Sequence, residues 1–280
     1  MRVWREETSL FSPDSQDSTD FVFMSIIFEA RDSFAVVRLN RPEKMNALSA
    51  SVLDELREAF ERVESEGQAR AVILTGTGEQ AFSAGTDIGE LAQLDKEGAR
   101  QASLRGQGVC DLIERSGVPV IAAVNGLAAG GGCELALSCH IRLASAKARF
   151  SLPETRLGMI PAYGGTQRAA RDMGLSRALE LMLAGETLSA GEALRLGLVN
   201  RVVEAEQLLT EAETLARSIS ELAPLAIRAC LEAVTRGINL PLEEGLRLEA
   251  ELFSKLFDTE DVREGTRAFL EKRAPRFKGK

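Results

Sequence analysis

Two glutamates, Glu134 and Glu154, stand in a glycine-rich part of the chain. Gly130, Gly131 and Gly132 come just before Glu134 and lead into an apolar run with helical spacing. Glycines at the start of a helix leave backbone N–H groups open to a ligand, and the helix dipole stabilises negative charge there. Paired carboxylates beside such donors predict general acid–base chemistry next to an oxyanion hole.

Each glutamate also has a purely structural interpretation. A glutamate in the first turn of a helix is favoured by the helix dipole by roughly 0.3–1 kcal/mol. Ser151-Leu152-Pro153-Glu154 has the pattern of a capping box, in which Glu154 bonds back to the backbone N–H of Ser151. A strand predicted at Ile141 to Ala144 lies between the glutamates and would bring the second back toward the first. The pair, more than either member, favours a catalytic site.

A second glycine turn follows the strand predicted at Val72 to Thr75. Its sequence is Ala84-Gly85-Thr86-Asp87-Ile88-Gly89-Glu90, which places Asp87 as a helix N-cap with Glu90 at the third helical position. The Asp87 side chain is therefore expected to be structural. The backbone N–H groups of this turn would supply the second donor that an oxyanion hole requires.

Several kinds of chemistry are disfavoured by composition. His140 is the one histidine and lies far from any nucleophile-elbow motif, so a Ser-His-Asp or Cys-His mechanism is not expected. The four cysteines show no C-x-x-C pairing and predict reduced, mostly buried thiols in a cytoplasmic protein. The sequence contains no zinc-site or calcium-loop pattern, and it contains neither a Walker motif nor a G-x-G-x-x-G motif. Metal-dependent enzymes and nucleotide-dependent redox enzymes are therefore disfavoured.

The length and the net charge of the chain limit the kinds of fold and partner that it can have. Its 280 residues are 45% hydrophobic, enough for a sizeable core. A net charge of -8 argues against nucleic acid or an anionic membrane as a partner. The apolar run from Val118 to Val124 is too short to span a bilayer. Residues 1–23 lack the plan of a signal peptide and are predicted to be a disordered extension, with Met24 as an alternative start.

Strand and helix patterns alternate through residues 24–205, which predicts an α/β core. The predicted strands are Phe34–Leu39, Ala71–Gly76, Val118–Val124 and Ile141–Ala144, and the predicted helices are Ser49–Gly67, Val109–Ile113 and Gly132–Cys139. After about Gly164 the spacing of apolar residues becomes helical, and residues 206–280 are predicted to form a helical region. Its surplus apolar faces need the core or another subunit to pack on.

Taken together, these motifs are similar to those of the enoyl-CoA hydratase/isomerase (crotonase) family. The resemblance runs from about Ser25 to Lys280 and is carried by Asn40 to Leu48, Phe82 to Ile88, Pro119 to Leu137, Pro153 to Arg168 and Glu271 to Phe277. It implies a crotonase-like α/β fold, a spiral core of ββα units with a helical C-terminal trimerisation region.

The resemblance also implies roles for individual residues. The two catalytic glutamates of hydratases match Glu134 and Glu154, and the oxyanion hole matches the backbone N–H groups of Thr86 and Gly131. The residues that would contact the substrate are Lys44, Met45, Ala47, Ala84, Asp87, Ile88, Gly130, Pro153 and Tyr163.

The implied function is hydration of a 2-enoyl-CoA to a 3-hydroxyacyl-CoA. Coenzyme A belongs to the substrate, and neither a metal nor another cofactor is expected. The implied assembly is a homotrimer, or a hexamer formed by two trimers. Two alternatives stay open: an isomerase that moves the double bond, and an RNA-binding relative that would use the basic tail from Lys272 to Lys280.

Three positions depart from the family pattern. Ala162-Tyr163 replaces a pair of small residues, and Tyr163 is either part of the acyl pocket or packed outward. Thr86 replaces a more usual alanine, which is compatible with a role of the main chain. His140 stands where an aspartate is common.

Overall fold

The computed structural model describes residues 21–22 and 24–280. The disordered extension predicted for residues 1–23 therefore lies outside the described residues, except for Phe21 and Val22, which form a short strand. The strands are β1 Phe21–Val22, β2 Ile26–Ala30, β3 Ala35–Leu39, β4 Val72–Gly76, β5 Ala81–Ser83, β6 Val120–Val124, β7 Leu127–Ala129, β8 Ile141–Ser145, β9 Arg149–Ser151, β10 Thr187–Ser189 and β11 Arg201–Val203.

Helices follow the strands and then dominate the C-terminal part. They are α1 Ala50–Glu66, α2 Ile88–Leu91, α3 Lys96–Glu114, α4 Gly131–Leu137, α5 Gly165–Met173, α6 Leu175–Ala184, α7 Ala190–Arg195, α8 Leu208–Ser220, α9 Pro224–Gly237, α10 Leu242–Leu256 and α11 Glu260–Glu271. Three short 3-10 helices cover Pro42–Lys44, Glu154–Leu157 and Ala205–Gln207.

The described strands form two sheets. The larger sheet has the order β1-β2-β3-β4-β6-β8-β11 and is parallel from β3 onward. The smaller sheet has the order β10-β9-β7-β5, with β5, β7 and β9 parallel to one another. Each pair β4/β5, β6/β7 and β8/β9 gives one strand to each sheet. This repeated unit confirms the predicted crotonase-like α/β fold.

The larger sheet is buried on both faces. Along β4, Val72 and Leu74 pack into the main core with α1 and α3, whereas Ile73 points to the opposite face, where Leu208 and Ala212 of α8 cover it. A strand covered on both faces carries apolar side chains at every position, which is why this strand was predicted from a continuous apolar run.

Local sequence signals explain the ends of α1. Ser49 accepts a hydrogen bond from the N–H of Val52, and Gly67 adopts a left-handed φ of 62° that ends the helix. Both ends agree with the prediction. The six buried residues of α1 are spaced for one face of a helix, and they are Val52, Leu53, Leu56, Ala59, Phe60 and Val63.

The smaller sheet positions the functional segments. The carboxyl ends of its parallel strands β5, β7 and β9 lie side by side, with Ser83 paired to Ala128 and Ala129 paired to Ser151. The turn Ala84–Asp87 follows β5, Gly130 and α4 follow β7, and Glu154 comes shortly after β9. In parallel sheets this edge is where ligands commonly bind.

The last helices bury little of their own surface within one chain. Helices α9 and α10 contain no fully buried residue. Large apolar side chains stand in solvent on α10 and α11, among them Leu242, Phe253, Phe269 and Leu270. Exposed apolar residues grouped in this way, unlike single scattered ones, are typical of a surface that packs against another protein.

Candidate active site

Glu134 lies in the first turns of α4, directly behind the glycines that begin the helix. Its side chain is 1% exposed. One carboxylate oxygen, Oε1, accepts hydrogen bonds from the backbone N–H groups of Tyr163 and Gly165, both at 2.7 Å. The turn that precedes α5 therefore fixes the position of this carboxylate.

Two effects act on the pKa of Glu134. Burial raises the pKa, because the charged form loses its hydration. The N–H groups of Gly165 and Tyr163 act in the opposite direction, because they bond to the charged form. The net result is a raised pKa for a carboxylate that keeps two fixed donors.

Glu154 begins the 3-10 helix that follows β9, and the capping box that was its structural interpretation is not formed. Ser151 ends β9 instead of capping a helix, and Pro153 occupies the cap position without a side-chain hydrogen bond. The Glu154 carboxylate is thus free to point elsewhere. Its Oε2 atom is buried and has no hydrogen-bond partner among the described residues.

The two carboxyl groups share one site. The N–H of Gly130, just before α4, donates to the carbonyl of Ser151 at 2.9 Å, and a side chain placed on Gly130 would meet Oε1 of Glu154 at 2.8 Å. Burial raises the pKa of Glu154 to about 7; its own backbone N–H opposes this shift, and the charge of Glu134 adds to it. Like charges disfavour double ionisation, so one of the two groups holds a proton more readily.

Two backbone donors face the same space. Gly85 has a φ of 95° and lies so close to Ala129 and Gly131 that a Cβ atom on it would be 2.6 Å from the Ala129 carbonyl. A Cβ atom on Gly131 would lie 3.0 Å from the Thr86 hydroxyl. Neither the Thr86 nor the Gly131 N–H donates a hydrogen bond within the described chain. Two adjacent, unused N–H groups are the parts of an oxyanion hole.

The other predicted contact residues lie on two joined loops. The N–H of Ala84 donates to the carbonyl of Met45, and Leu48 forms a β-bridge with Thr86. Lys44 and Ala47 flank Met45 on the first loop. Met45 has a left-handed φ of 51°, which bends this loop toward the turn after β5.

Asp87 and Ile88 sit where the second loop becomes a helix. Asp87 caps α2 by accepting a hydrogen bond from the N–H of Gly89, as predicted from the sequence. Glu90 does not complete the capping box, because it accepts from the N–H of Ala50 instead. Ile88 is half exposed at the start of α2.

Sequence reasoning missed Asn46, which ties these loops to the sheet. Its side chain donates to the carbonyls of Thr77 and Ala81 and accepts from the N–H of Arg41. Asn46 is buried and has a φ of 55°, a conformation that asparagine tolerates better than most residues. An asparagine shortly after a proline turn was the available signal.

Arg168 was also missed as a residue that supports the site. It donates to the carbonyl of Tyr163 at 2.9 Å and pairs with Asp111 and Glu114 of α3. These contacts connect α3 and α5 to the turn that binds Glu134. Its charged guanidinium is thus held by several partners at once, which makes these bonds strong ones.

Tyr163 points inward, so the outward packing considered for it is wrong. The residue is 4% exposed, and its ring lies against Gly106 of α3 and against Gly131. Burial raises the pKa of Tyr163 to about 12, with the Thr86 hydroxyl opposing the shift through a hydrogen bond. The phenol is therefore neutral and adjoins the two unused N–H groups.

His140 has a structural position, in agreement with the prediction. Its Nδ1 accepts a hydrogen bond from the N–H of Val120, and its Nε2 lies 3.1 Å from the carbonyl of Glu114. These partners fix a neutral imidazole with its proton on Nε2. Burial lowers the pKa of His140 and keeps it in that form.

The described residues contain no group of metal-binding side chains and no helix long and apolar enough to cross a membrane.

The sequence matches the enoyl-CoA hydratase/isomerase family over residues 29–280. The short-chain-enoyl-CoA hydratase of Clostridium acetobutylicum is 42% identical, covering 89% of this chain and 95% of that protein. The crotonyl-CoA hydratase of Syntrophomonas wolfei is 41% identical, covering 91% of this chain and 98% of that protein.

Solved structures agree with these matches. The crystal structure of an enoyl-CoA hydratase from Bacillus anthracis superimposes with a TM-score of 0.89 at 40% identity, covering 92% of this chain and all of that one. One from Geobacillus kaustophilus reaches a TM-score of 0.92 at 34% identity, covering 94% of this chain and all of that one.

Proposed function

This chain belongs to the enoyl-CoA hydratase/isomerase family, and from that premise we propose that it adds water reversibly across the 2,3 double bond of a 2-enoyl-CoA. The product is a 3-hydroxyacyl-CoA. The observation that carries the proposal is the meeting of Glu134 and Glu154 beside two unused N–H donors at the carboxyl edge of the smaller sheet. Relatives at 41–42% identity carry hydratase names.

The two N–H groups act on the thioester. In the proposed complex the carbonyl oxygen lies between the N–H groups of Thr86 and Gly131. Both donors strengthen their bonds as negative charge develops on that oxygen during attack at C3. Loss of one such donor typically raises the barrier by about 2.7–4 kcal/mol.

The glutamates divide the proton transfers. Glu134, held by two N–H donors, takes a proton from the water whose oxygen bonds to C3. Glu154, whose pKa lies at about 7, gives its proton to C2. The water oxygen thus ends on C3 as a hydroxyl group, and one hydrogen ends on C2. Exchange with solvent then removes the proton from Glu134 and returns one to Glu154, and reversal of the reaction exchanges the two roles.

The thioester activates the substrate, so this mechanism needs no other cofactor. The coenzyme A end is proposed to lie along Lys44, Met45 and Ala47 and the turn from Ala84 to Ile88. Gly130 and Pro153 flank Glu154 and would contact the reacting part of the acyl group. Ile88 is half exposed and suits contact with the adenine end of a bound thioester.

Crotonyl-CoA provides the direct test. The purified protein is expected to remove the absorbance of the conjugated enoyl thioester, and mass spectrometry should show 3-hydroxybutyryl-CoA, heavier by one water. Supplying a 3-enoyl-CoA in parallel tests the isomerase alternative. Conversion of the 3-enoyl-CoA with no hydration of any 2-enoyl-CoA would overturn the proposal.

We further propose that the protein assembles as a trimer, or as a hexamer of two trimers. Phe269 and Leu270 of α11 are 83% and 81% exposed, and Phe253 and Phe257 of α10 form an exposed aromatic pair. Burial of these faces between subunits would remove them from water. Sedimentation equilibrium is expected to give a trimer or hexamer, and a monomer would contradict the assembly.

The proposed location is the cytoplasm. Cys110, Cys133, Cys139 and Cys230 are all free thiols, and the first three are buried. Burial raises the pKa of each of these three, so they stay protonated and unreactive. Free thiols of this kind suit a reducing compartment.

A further inference from the structure

The Tyr163 ring fills the gap between the unused N–H of Gly131 and helix α3. On one side, a Cβ atom on Gly131 would lie 2.9 Å from Cε2 of the ring. On the other, a Cβ atom on Gly106 would lie 2.1 Å from Cδ1. The ring therefore lies in direct contact with the Cα atoms of both glycines.

Gly106 leaves the space that this ring occupies, because a side chain at this position would overlap the ring. It is buried in the interior of α3, where glycine destabilises a helix by roughly 0.5–1 kcal/mol relative to alanine. The nearest atoms to a Cβ atom at this position all belong to the ring of Tyr163. The space between α3 and the site is thus occupied by the tyrosine side chain.

The main chain around Tyr163 is held from two sides. Ser103 and Gln107 of α3 donate hydrogen bonds to the carbonyl of Ala162, at 2.8 Å and 3.1 Å. Arg168 of α5 donates to the carbonyl of Tyr163. The N–H of Tyr163 also binds Glu134, so the main chain from which the ring projects is fixed, and the ring itself is confined by its packing against Gly106 and Gly131.

The position of the ring bears on the acyl chain. With the thioester carbonyl at Thr86 and Gly131 and with C2 and C3 beside the carboxylates, the chain must continue past this cluster. A rigid aromatic ring next to Gly131 takes up the volume through which a chain directed toward α3 would pass. Long chains would then meet the ring, whereas a chain that ends soon after C3 would not.

We infer that Tyr163 closes the acyl end of the pocket and restricts the enzyme to short-chain 2-enoyl-CoA substrates. This inference rests on the proposed hydratase function and adds the class of acyl group to it. Tyr163 acts by the volume of its ring, and Gly106 is the position that allows the ring to lie there.

The test compares kcat/KM for crotonyl-CoA and trans-2-decenoyl-CoA in the wild type, Tyr163→Ala and Tyr163→Phe. The wild type is expected to prefer crotonyl-CoA. Tyr163→Ala should raise the ratio of decenoyl-CoA to crotonyl-CoA by about tenfold or more, since one methylene in a pocket already changes kcat/KM by about tenfold. Tyr163→Phe keeps the ring and should keep the wild-type ratio within about threefold.

The outcomes separate the two proposals. If the wild type hydrates neither thioester, the hydratase function fails. If it hydrates crotonyl-CoA and Tyr163→Ala leaves the ratio unchanged, or if Tyr163→Phe shifts the ratio as much as Tyr163→Ala, the inference about the ring fails alone. Should circular dichroism show that Tyr163→Ala does not fold, Tyr163→Leu provides the same comparison with more apolar volume retained.

A double-mutant cycle tests the packing independently of chain length. Gly106→Ala in the wild type forces the ring to move and should lower kcat/KM for crotonyl-CoA by about tenfold or more. In the Tyr163→Ala background the same change meets no ring and should have less than a threefold effect. Equal effects in both backgrounds would show that Gly106 does not serve the tyrosine and would overturn the inference.

Discussion

The two carboxylates of the site lie in regions that differ in burial and in the hydrogen-bond donors that they supply. The region around Glu134, from α4 to the turn before α5, buries the side chain and supplies two N–H donors to one oxygen. The region around Glu154, between β9 and its 3-10 helix, leaves the side chain half-buried and one oxygen with no partner among the described residues.

The difference indicates which group works in which form. Fixed N–H donors stabilise a carboxylate in its charged form, whereas a partnerless, partly buried carboxyl is more stable when it is protonated. Glu134 is therefore suited to act as the base and Glu154 to act as the acid. The same contrast gives the following predictions, from the largest expected effect to the smallest.

Replacement of either carboxyl group by an amide should have the largest effect. Glu134→Gln and Glu154→Gln are each expected to lower kcat/KM for crotonyl-CoA by about 10²–10⁴-fold, because each removes one proton transfer. Glu61→Gln, at an exposed glutamate of α1, is the matched control and should leave the rate unchanged. If kcat/KM fell in only one of the two variants, the assignment of one proton transfer to each glutamate would be wrong.

Crowding of the Glu134 region should have a smaller effect. A Cβ atom on Gly165 would lie 2.8 Å from Cγ of Glu134 and 2.9 Å from its Oε1, so Gly165→Ala displaces the carboxylate. The expected fall in kcat/KM is about 10–100-fold, since small displacements of a catalytic group are costly. Gly191→Ala, where a Cβ atom meets nothing within 4 Å, is the control.

The pH dependence should follow the acid. In the proposed mechanism hydration needs Glu154 protonated, and burial raises the pKa of this group to about 7. Above that pH, kcat/KM for crotonyl-CoA is expected to fall by about tenfold per pH unit. Initial rates measured from pH 5 to pH 9 check this, and a rate that rises steadily from pH 7 to pH 9 would disagree with it.

The smallest effect concerns stability. A carboxyl whose pKa is raised from 4.5 to about 7 on folding contributes stability that is fully present below pH 4.5 and is lost as the pH rises through about 7. Glutamine does not titrate, so Glu154→Gln should be more stable than the wild type at pH 8, by about 1–2 kcal/mol after solvent screening. Urea unfolding at pH 5 and pH 8 measures this, and the advantage should shrink at pH 5.

The parts of the fold that the sequence predicted are those with long, periodic signals. The ends of α1 followed from Ser49 and Gly67, and β4 followed from its continuous apolar run. The strands β5, β7 and β9 were not predicted, because three residues are too few to show an alternating pattern. They form the sheet that brings the site together, so the reason for the site's geometry was missed.

The sequence predicted which residues belong to the candidate site better than it predicted the partners of their side chains. The residue types and glycine turns indicated Glu134 and two sets of backbone donors, and the family resemblance assigned those donors to Thr86 and Gly131. The direction of a side chain depends on tertiary packing, and a local pattern therefore gave the wrong partner for Glu154. The inward position of Tyr163 depends on Gly106, which lies on another element and carries no signal of its own.

The most direct test of this division of roles is exchange of the C2 hydrogens of butyryl-CoA with D₂O, followed by NMR. Butyryl-CoA has no double bond to hydrate, so exchange reports only on the group that handles the proton at C2. The wild type and Glu134→Gln are expected to catalyse exchange, and Glu154→Gln is not. Exchange that survives in Glu154→Gln but is lost in Glu134→Gln would contradict the assignment of acid and base.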